Sequence, residues 1–153
     1  MAPGAATDSY ELGAMIDPAE FTRRMHTLVP VSGDMGIVAE RMDADGLATV
    51  RLAFKPTNLR PGGTISGPAL MTMADVAMFA GVNGRLGWTP MALTANLNTT
   101  FLRPPKPEDL IAEATPLRFG RRLAFFAVTI VSVSDPDRPV AHATGSYALP
   151  EAR

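Results

Sequence analysis

Between Arg60 and Arg85 the chain carries one formal charge, Asp75, midway along the apolar run Gly67-Pro-Ala-Leu-Met-Thr-Met-Ala-Asp-Val-Ala-Met-Phe-Ala-Gly81. Burying a carboxylate in such surroundings is costly. It is therefore either a functional base or an ion held at a subunit seam by backbone amides. The approach to it, Arg60-Pro-Gly-Gly-Thr-Ile-Ser-Gly-Pro68, favours the first reading. It brings small residues and bare amides to a helix start two turns before the carboxylate. A base and an oxyanion site within reach of one another are the equipment of a hydrolase.

Other routes to hydrolysis are poorly supplied. Ser66 lies in Gly63-Thr-Ile-Ser-Gly67, which is not the G-x-S-x-G elbow of serine hydrolases. Only two histidines exist to serve as its base, His26 and His142, and no spacing brings either to the helix start; both read as structural. The chain has no cysteine, which excludes a thiolate nucleophile, Cys-ligated metal and a disulfide framework, and fits a reducing compartment.

Several elements must position Asp75. Residues 1–15, rich in Ala and Gly, read as a loose tail without the basic and apolar regions of a secretory signal. Asp17-Pro18-Ala19-Glu20 has the form of a capping box, with Asp17 as N-cap, Pro18 at the first helical position and Glu20 three after the cap. The short helix it opens carries Phe21, Met25 and Leu28 and should stop at Pro30. Met35–Met42 and the alternating run through Ala48, Val50, Leu52 and Phe54 form a hairpin about the turn Asp43-Ala-Asp-Gly46. The long helix runs from Gly67 to about Arg85, capped by Ser66 or Gly67 and ended by Gly84 and Gly87.

Four strands follow: Met91–Leu102, Asp109–Leu117, Arg122–Val133 and Val140–Leu149. In the first, Leu93, Ala95, Leu97 and Phe101 alternate with Thr94, Asn96, Asn98 and Thr100. The third is almost continuously apolar, as expected of a central strand covered on both faces. This order gives an α+β domain over residues 16–150, an antiparallel sheet curled round one long helix. The outer face of such a sheet also needs cover, and a second subunit is the natural supplier.

With 153 residues, 46% hydrophobic and 19% charged, the chain has a globular balance and suffices for one domain. A net charge of −1 gives no general attraction to nucleic acid or to an anionic membrane. Although Gly67–Gly84 is about long enough to span a bilayer, Asp75 at its centre, Pro68 at its start and its glycines argue for a core helix. The expected protein is soluble and cytoplasmic.

From Met35 to Leu149 the chain resembles the hotdog-fold acyl-CoA thioesterases of the PaaI-like type. The resemblance is carried by Gly63-Thr-Ile-Ser-Gly-Pro-Ala-Leu-Met-Thr-Met-Ala-Asp75, by Thr94-Ala-Asn-Leu-Asn-Thr-Thr-Phe-Leu-Arg-Pro104, and by the turn Gly120-Arg121-Arg122. Gly67 and Asp75 keep the family's spacing. Where the family usually reads His-Gly-Gly this chain reads Ser66-Gly67-Pro68. Where it often carries an Asn, this chain has Arg60, with Asn58 two residues earlier as the candidate replacement.

The resemblance implies a hotdog fold and hydrolysis of an acyl- or aryl-CoA thioester. Asp75 is then the base that activates water, or the nucleophile that forms a mixed anhydride, and the Gly67 N–H is the oxyanion donor. Thr94 either holds the attacking water or is a plain strand residue, and Ser66 either contacts the thioester or only caps the helix. Met71, Met78 and Phe79 flank Asp75 as core and acyl-pocket lining. Arg121 and Arg122, with Arg118 near, either pair with coenzyme A phosphates or form a solvated hairpin end. No metal or cofactor is implied, coenzyme A being part of the substrate. The implied assembly is a homodimer or homotetramer whose sites are shared between subunits. Two other readings belong to the same fold: a non-catalytic acyl-CoA or ligand-binding protein, and an enoyl-CoA hydratase, which normally needs an Asp–His pair that this sequence does not offer.

Overall fold

The computed structural model describes residues 10–151. Its elements are α1 (Pro18–Leu28), α2 (Pro30–Asp34), β1 (Ile37–Met42), β2 (Ala48–Leu52), α3 (Gly67–Leu86), β3 (Leu93–Phe101), β4 (Leu110–Phe119), β5 (Leu123–Ser132) and β6 (Ala141–Ala148), with a 3-10 turn at Pro56–Asn58. The six strands form one antiparallel sheet in the order β1-β2-β4-β5-β6-β3, and the sheet wraps α3. This is the expected α+β hotdog arrangement.

Local chemistry sets the helix ends. Asp17 caps α1, its Oδ1 accepting the Glu20 N–H at 2.8 Å. The Glu20 side chain turns to Arg24 (2.7 Å) and Arg23 instead. Pro30 ends α1, as expected, but it also opens α2, because its fixed φ suits a first helical turn. At α3, Ser66 is the cap: its Oγ accepts the Ala69 N–H at 3.3 Å, with Gly67 and Pro68 in the first turn. Gly87, at φ 76°, ends the helix, whereas Gly84 lies inside it, buried against the Asp43 carbonyl.

Ala69, Leu70, Met73, Ala74, Ala77, Met78, Ala80 and Val82 of α3 are all buried. They meet the inner sheet face, built from Val50 and Leu52, Leu110 and Ala112, Phe126, Val128 and Ile130, and Ala141 and Ala143. Burial on this scale is the main stabilising contribution to the fold. β5 does sit centrally in the sheet, but the expectation that both of its faces are covered fails within one chain. Its burial alternates, and Leu123 and Phe125 on the outer face remain exposed.

The expected loose tail falls partly on residues 1–9, outside the described residues. From Tyr10 onward the segment is docked: Gly13 N–H donates to the Trp88 carbonyl, Trp88 N–H to the Ala14 carbonyl, and the Tyr10 ring meets Trp88 edge-on at 5.9 Å. Among the described residues no helix is long and apolar enough to cross a membrane.

Candidate active site

Asp75 projects from the middle of α3 into an open groove of about 540 Å³. Apolar side chains make most of its wall: Met25 from α1, Val31 from α2 and Val29 between them, Met71, Val76 and Phe79 from α3, and Leu93 and Leu97 from β3. The polar groups converge on Asp75. Thr94 Oγ1 and Tyr147 Oη each donate to Asp75 Oδ1 at 2.7 Å, and Tyr147 Oη also lies 3.3 Å from the Asp75 carbonyl oxygen. Oδ2 accepts no hydrogen bond among the described residues.

A break in the alternation of β3 makes this possible. The register of β3 on β6 shifts between Thr94 and Asn96, a bulge with one extra residue on β3. Strict alternation from Leu97 would turn Thr94 to the outer face. The bulge instead pairs Thr94 with Tyr147 while Leu97 pairs with Gly145, so all four face inward. Tyr147 completes an inner stripe of small residues, Ala141, Ala143 and Gly145, and its ring stacks on Phe79 at 5.8 Å. Burial, and then the neighbouring Asp75 carboxylate, push the Tyr147 hydroxyl well above the ordinary phenol range. It is therefore a neutral O–H donor at any working pH.

The structure brings together Asp75, Thr94, Met71 and Phe79, all of which line the groove. Met78 is wholly buried core beneath Gly145. Asn58 does not join the site: it is buried, and its Nδ2 donates to the Met35 carbonyl at 2.8 Å, tying the 3-10 turn to the start of β1. Ser66 is placed at the head of the helix, where its hydroxyl serves the cap. The two histidines lie elsewhere, His26 Nε2 on the Ile37 carbonyl at 2.7 Å and His142 on the exposed outer face of β6. Among the described residues no cluster of three metal-ligating side chains exists.

Gly67 holds its N–H at the start of α3 with no acceptor among the described residues. Eight residues of helix, at 1.5 Å each, put it about 12 Å from Asp75 along the axis. Within one chain the two are therefore not within reach of one carbonyl group. Arg121 and Arg122 line a second, larger cleft of about 990 Å³, floored by Trp88 and bordered by Leu86, Met91 and Pro150. Pro90 lines both cavities, so the cleft adjoins the groove. Arg122 is paired with Glu151, while Arg121 makes no ion pair among the described residues. Tyr147 is the site residue that sequence reading missed. Its only signal is the polar tip at the end of an otherwise small-residue inner face.

Comparison with known proteins agrees with this fold. Residues 62–137 match the family described as the thioesterase superfamily. The Mycobacterium tuberculosis protein named "Putative esterase Rv1847" is 31% identical over 121 residues, spanning 76% of this chain and 84% of that one. A solved structure of "a putative thioesterase" from Silicibacter sp. TM1040 is 32% identical, covers 92% of this chain and 94% of its own, and superposes with a TM-score of 0.75. A mutant of the phenylacetic acid degradation protein PaaI of Thermus thermophilus is 25% identical over 79% of this chain and 99% of its own, with a TM-score of 0.69. A sheet wrapped round a buried helix, a carboxylate at that helix's centre and these relatives agree: the chain belongs to the thioesterase superfamily, as a PaaI-like protein of the hotdog fold.

Proposed function

We propose that this protein hydrolyses acyl-CoA thioesters, with Asp75 as the reacting carboxylate. The observation that carries the reading is Asp75 itself. One of its oxygens is held by two hydroxyls, the other accepts no hydrogen bond among the described residues, and the residue lines an apolar groove. In the general-base form, Oδ2 takes a proton from water as the water oxygen bonds to the thioester carbon. The carbonyl becomes an oxyanion, collapses, and breaks the C–S bond; the thiolate leaves and recovers a proton, giving acid and free coenzyme A. In the covalent form, Oδ2 attacks the thioester carbon, the C–S bond breaks and the thiolate leaves to be protonated by solvent; water then cleaves the mixed anhydride to the free acid and the Asp75 carboxylate.

The oxyanion donor in this reading is the Gly67 N–H at the positive end of the α3 dipole. Because Gly67 lies about 12 Å along the helix from Asp75 of the same chain, the donor comes from a second copy. That copy pairs at the free edge of β3, where Leu93 and Phe101 stand 63% and 52% exposed, and each site takes Gly67 from one subunit and Asp75 from the other. Phe101 already lies over the helix start, against Gly67. The apolar groove suits the acyl or aryl group. Arg121 and Arg122, in the adjoining cleft, suit the phosphates of coenzyme A.

The test is release of free coenzyme A from a panel of acyl- and aryl-CoA thioesters, wild type beside Asp75→Asn. Turnover in the wild type, reduced about 10²–10⁴-fold in an oligomer-competent variant, is expected. Binding without turnover in either protein would favour the non-catalytic acyl-CoA-binding alternative. Equal turnover in both would remove Asp75 from the chemistry.

A further inference from the structure

We infer that Tyr147 is a positioning residue for the reaction, clamping Asp75 Oδ1 together with Thr94 so that Oδ2 is the oxygen that reacts. The inference rests on the thioesterase reading for its kinetic consequence, but the clamp itself is a matter of geometry. Tyr147 is 4% exposed, and its hydroxyl donates to Oδ1 at 2.7 Å. The same hydroxyl lies 3.3 Å from the Asp75 carbonyl oxygen, which keeps it over the carboxylate's own residue rather than over a neighbour.

Three features show that the contact is built. The β3 bulge sets Thr94 directly opposite Tyr147, so the two hydroxyls approach the same carboxylate oxygen from neighbouring strands. Phe79, one helical turn beyond Asp75, stacks on the tyrosine ring with an interplanar angle of 18° and fixes its plane. The inner face of β6 is otherwise Ala141, Ala143 and Gly145, with Met78 packed beneath Gly145, so Tyr147 is the side chain of that face long enough to reach Asp75. Being held neutral, the phenol can donate a hydrogen bond to the carboxylate but cannot add a competing negative charge.

A carboxylate on a helix can swing about χ1 and χ2. Fixing one oxygen with two donors removes that freedom before substrate arrives and leaves one lone-pair direction toward the groove. The aromatic ring does not touch the reacting atoms in this scheme; it acts through Asp75. Loss of the hydroxyl alone should therefore weaken the chemical step and leave substrate affinity nearly unchanged.

The experiment compares wild type, Tyr147→Phe and Asp75→Asn. Tyr147→Phe keeps the ring and its stack, and it should lower kcat about 10–100-fold with KM within about twofold. A variant that retains kcat within twofold overturns the inference. So does one that loses only KM, because that is the mark of a pocket residue. Independently of turnover, NMR should show a slowly exchanging Tyr147 hydroxyl proton in the wild type that moves upfield in Asp75→Asn, whose amide oxygen is a weaker acceptor. Absence of that resonance, or no movement, overturns the clamp even if Tyr147→Phe fails to fold. A wild type that hydrolyses no thioester defeats the thioesterase reading alone; the hydroxyl resonance then decides the clamp by itself.

Discussion

Two individually dead variants should restore each other when mixed. Asp75→Asn removes the reacting carboxylate, and Gly67→Pro removes the N–H proposed to stabilise the oxyanion. The second change removes no hydrogen bond of the helix; because it sets a proline before Pro68, whose predecessor disfavours the helical region, retention of the oligomer is checked first. Gly67 lies in the first turn, where its N–H has no acceptor among the described residues, and Ser66 before it has ψ 151°, which proline tolerates in a preceding residue. A Cβ at Gly67 comes within 3.3 Å of Phe101 Cζ, but that ring is half exposed and can move. Each homo-oligomer should lose about 10²-fold or more in rate. Because about 12 Å of helix separates the two groups, an active site must take one from each subunit. A mixed dimer then holds one site with both groups intact and one with both lesions. Random re-association makes half of the dimers mixed, so the mixture should regain about a quarter of wild-type activity. Co-refolding equal amounts of the two variants and measuring coenzyme A release against each parent provides the assay. A mixture that stays at the parental level would refute the shared site.

Two further outcomes test packing and protonation. At Gly81 α3 lies against the β1–β2 turn and β5, and an added Cβ there would lie 2.5 Å from the Gly46 carbonyl oxygen and 2.7 Å from Phe126 Cε1. Gly81→Ala should therefore cost about 1–3 kcal/mol or more; urea unfolding checks it, and an unchanged midpoint would contradict the close approach. Alkali should destabilise the fold through Tyr147. Its folded hydroxyl holds its proton above the reference value of 10.0, so this stabilisation is complete below that value and declines as pH rises further, by at most about 1.4 kcal/mol per pH unit. Stability measured between pH 8 and 11 should fall less steeply in Tyr147→Phe, and parallel curves would refute the burial of a neutral phenol.

Much of this protein is written in local pattern. The long apolar stretch with Pro68 near its start and Gly87 beyond its end defines α3, because helix caps and hydrophobic content act over a few residues. Asp75 stands out for the same reason, as a lone charge where burial penalises one. Alternation in Ala48–Leu52 and the apolar run of β5 predict strands, and their order predicts a sheet around a helix. The family's spacing from Gly67 to Asp75 survives even though its usual neighbours have become Ser66 and Pro68.

Tertiary structure decided the rest. A bulge adds one residue to one strand without marking the sequence, so the inward turn of Thr94 depends on how β3 registers against β6. Tyr147 lies 72 residues from Asp75, and no periodicity links a strand position to a helix position at that separation. Asn58 was legible as a polar residue in the approach loop, yet its amide is taken by the Met35 carbonyl, a partner supplied only when the loop packs on β1. The exposed face of β5 likewise reflects what one chain lacks rather than what the strand prefers, since hydrophobicity records eventual burial and not its source. The sequence thus determined the helix and the carboxylate at its centre, through interactions of short range. The oxygen of that carboxylate left open to the groove, and the residues that hold the other, were settled by long-range strand register and packing.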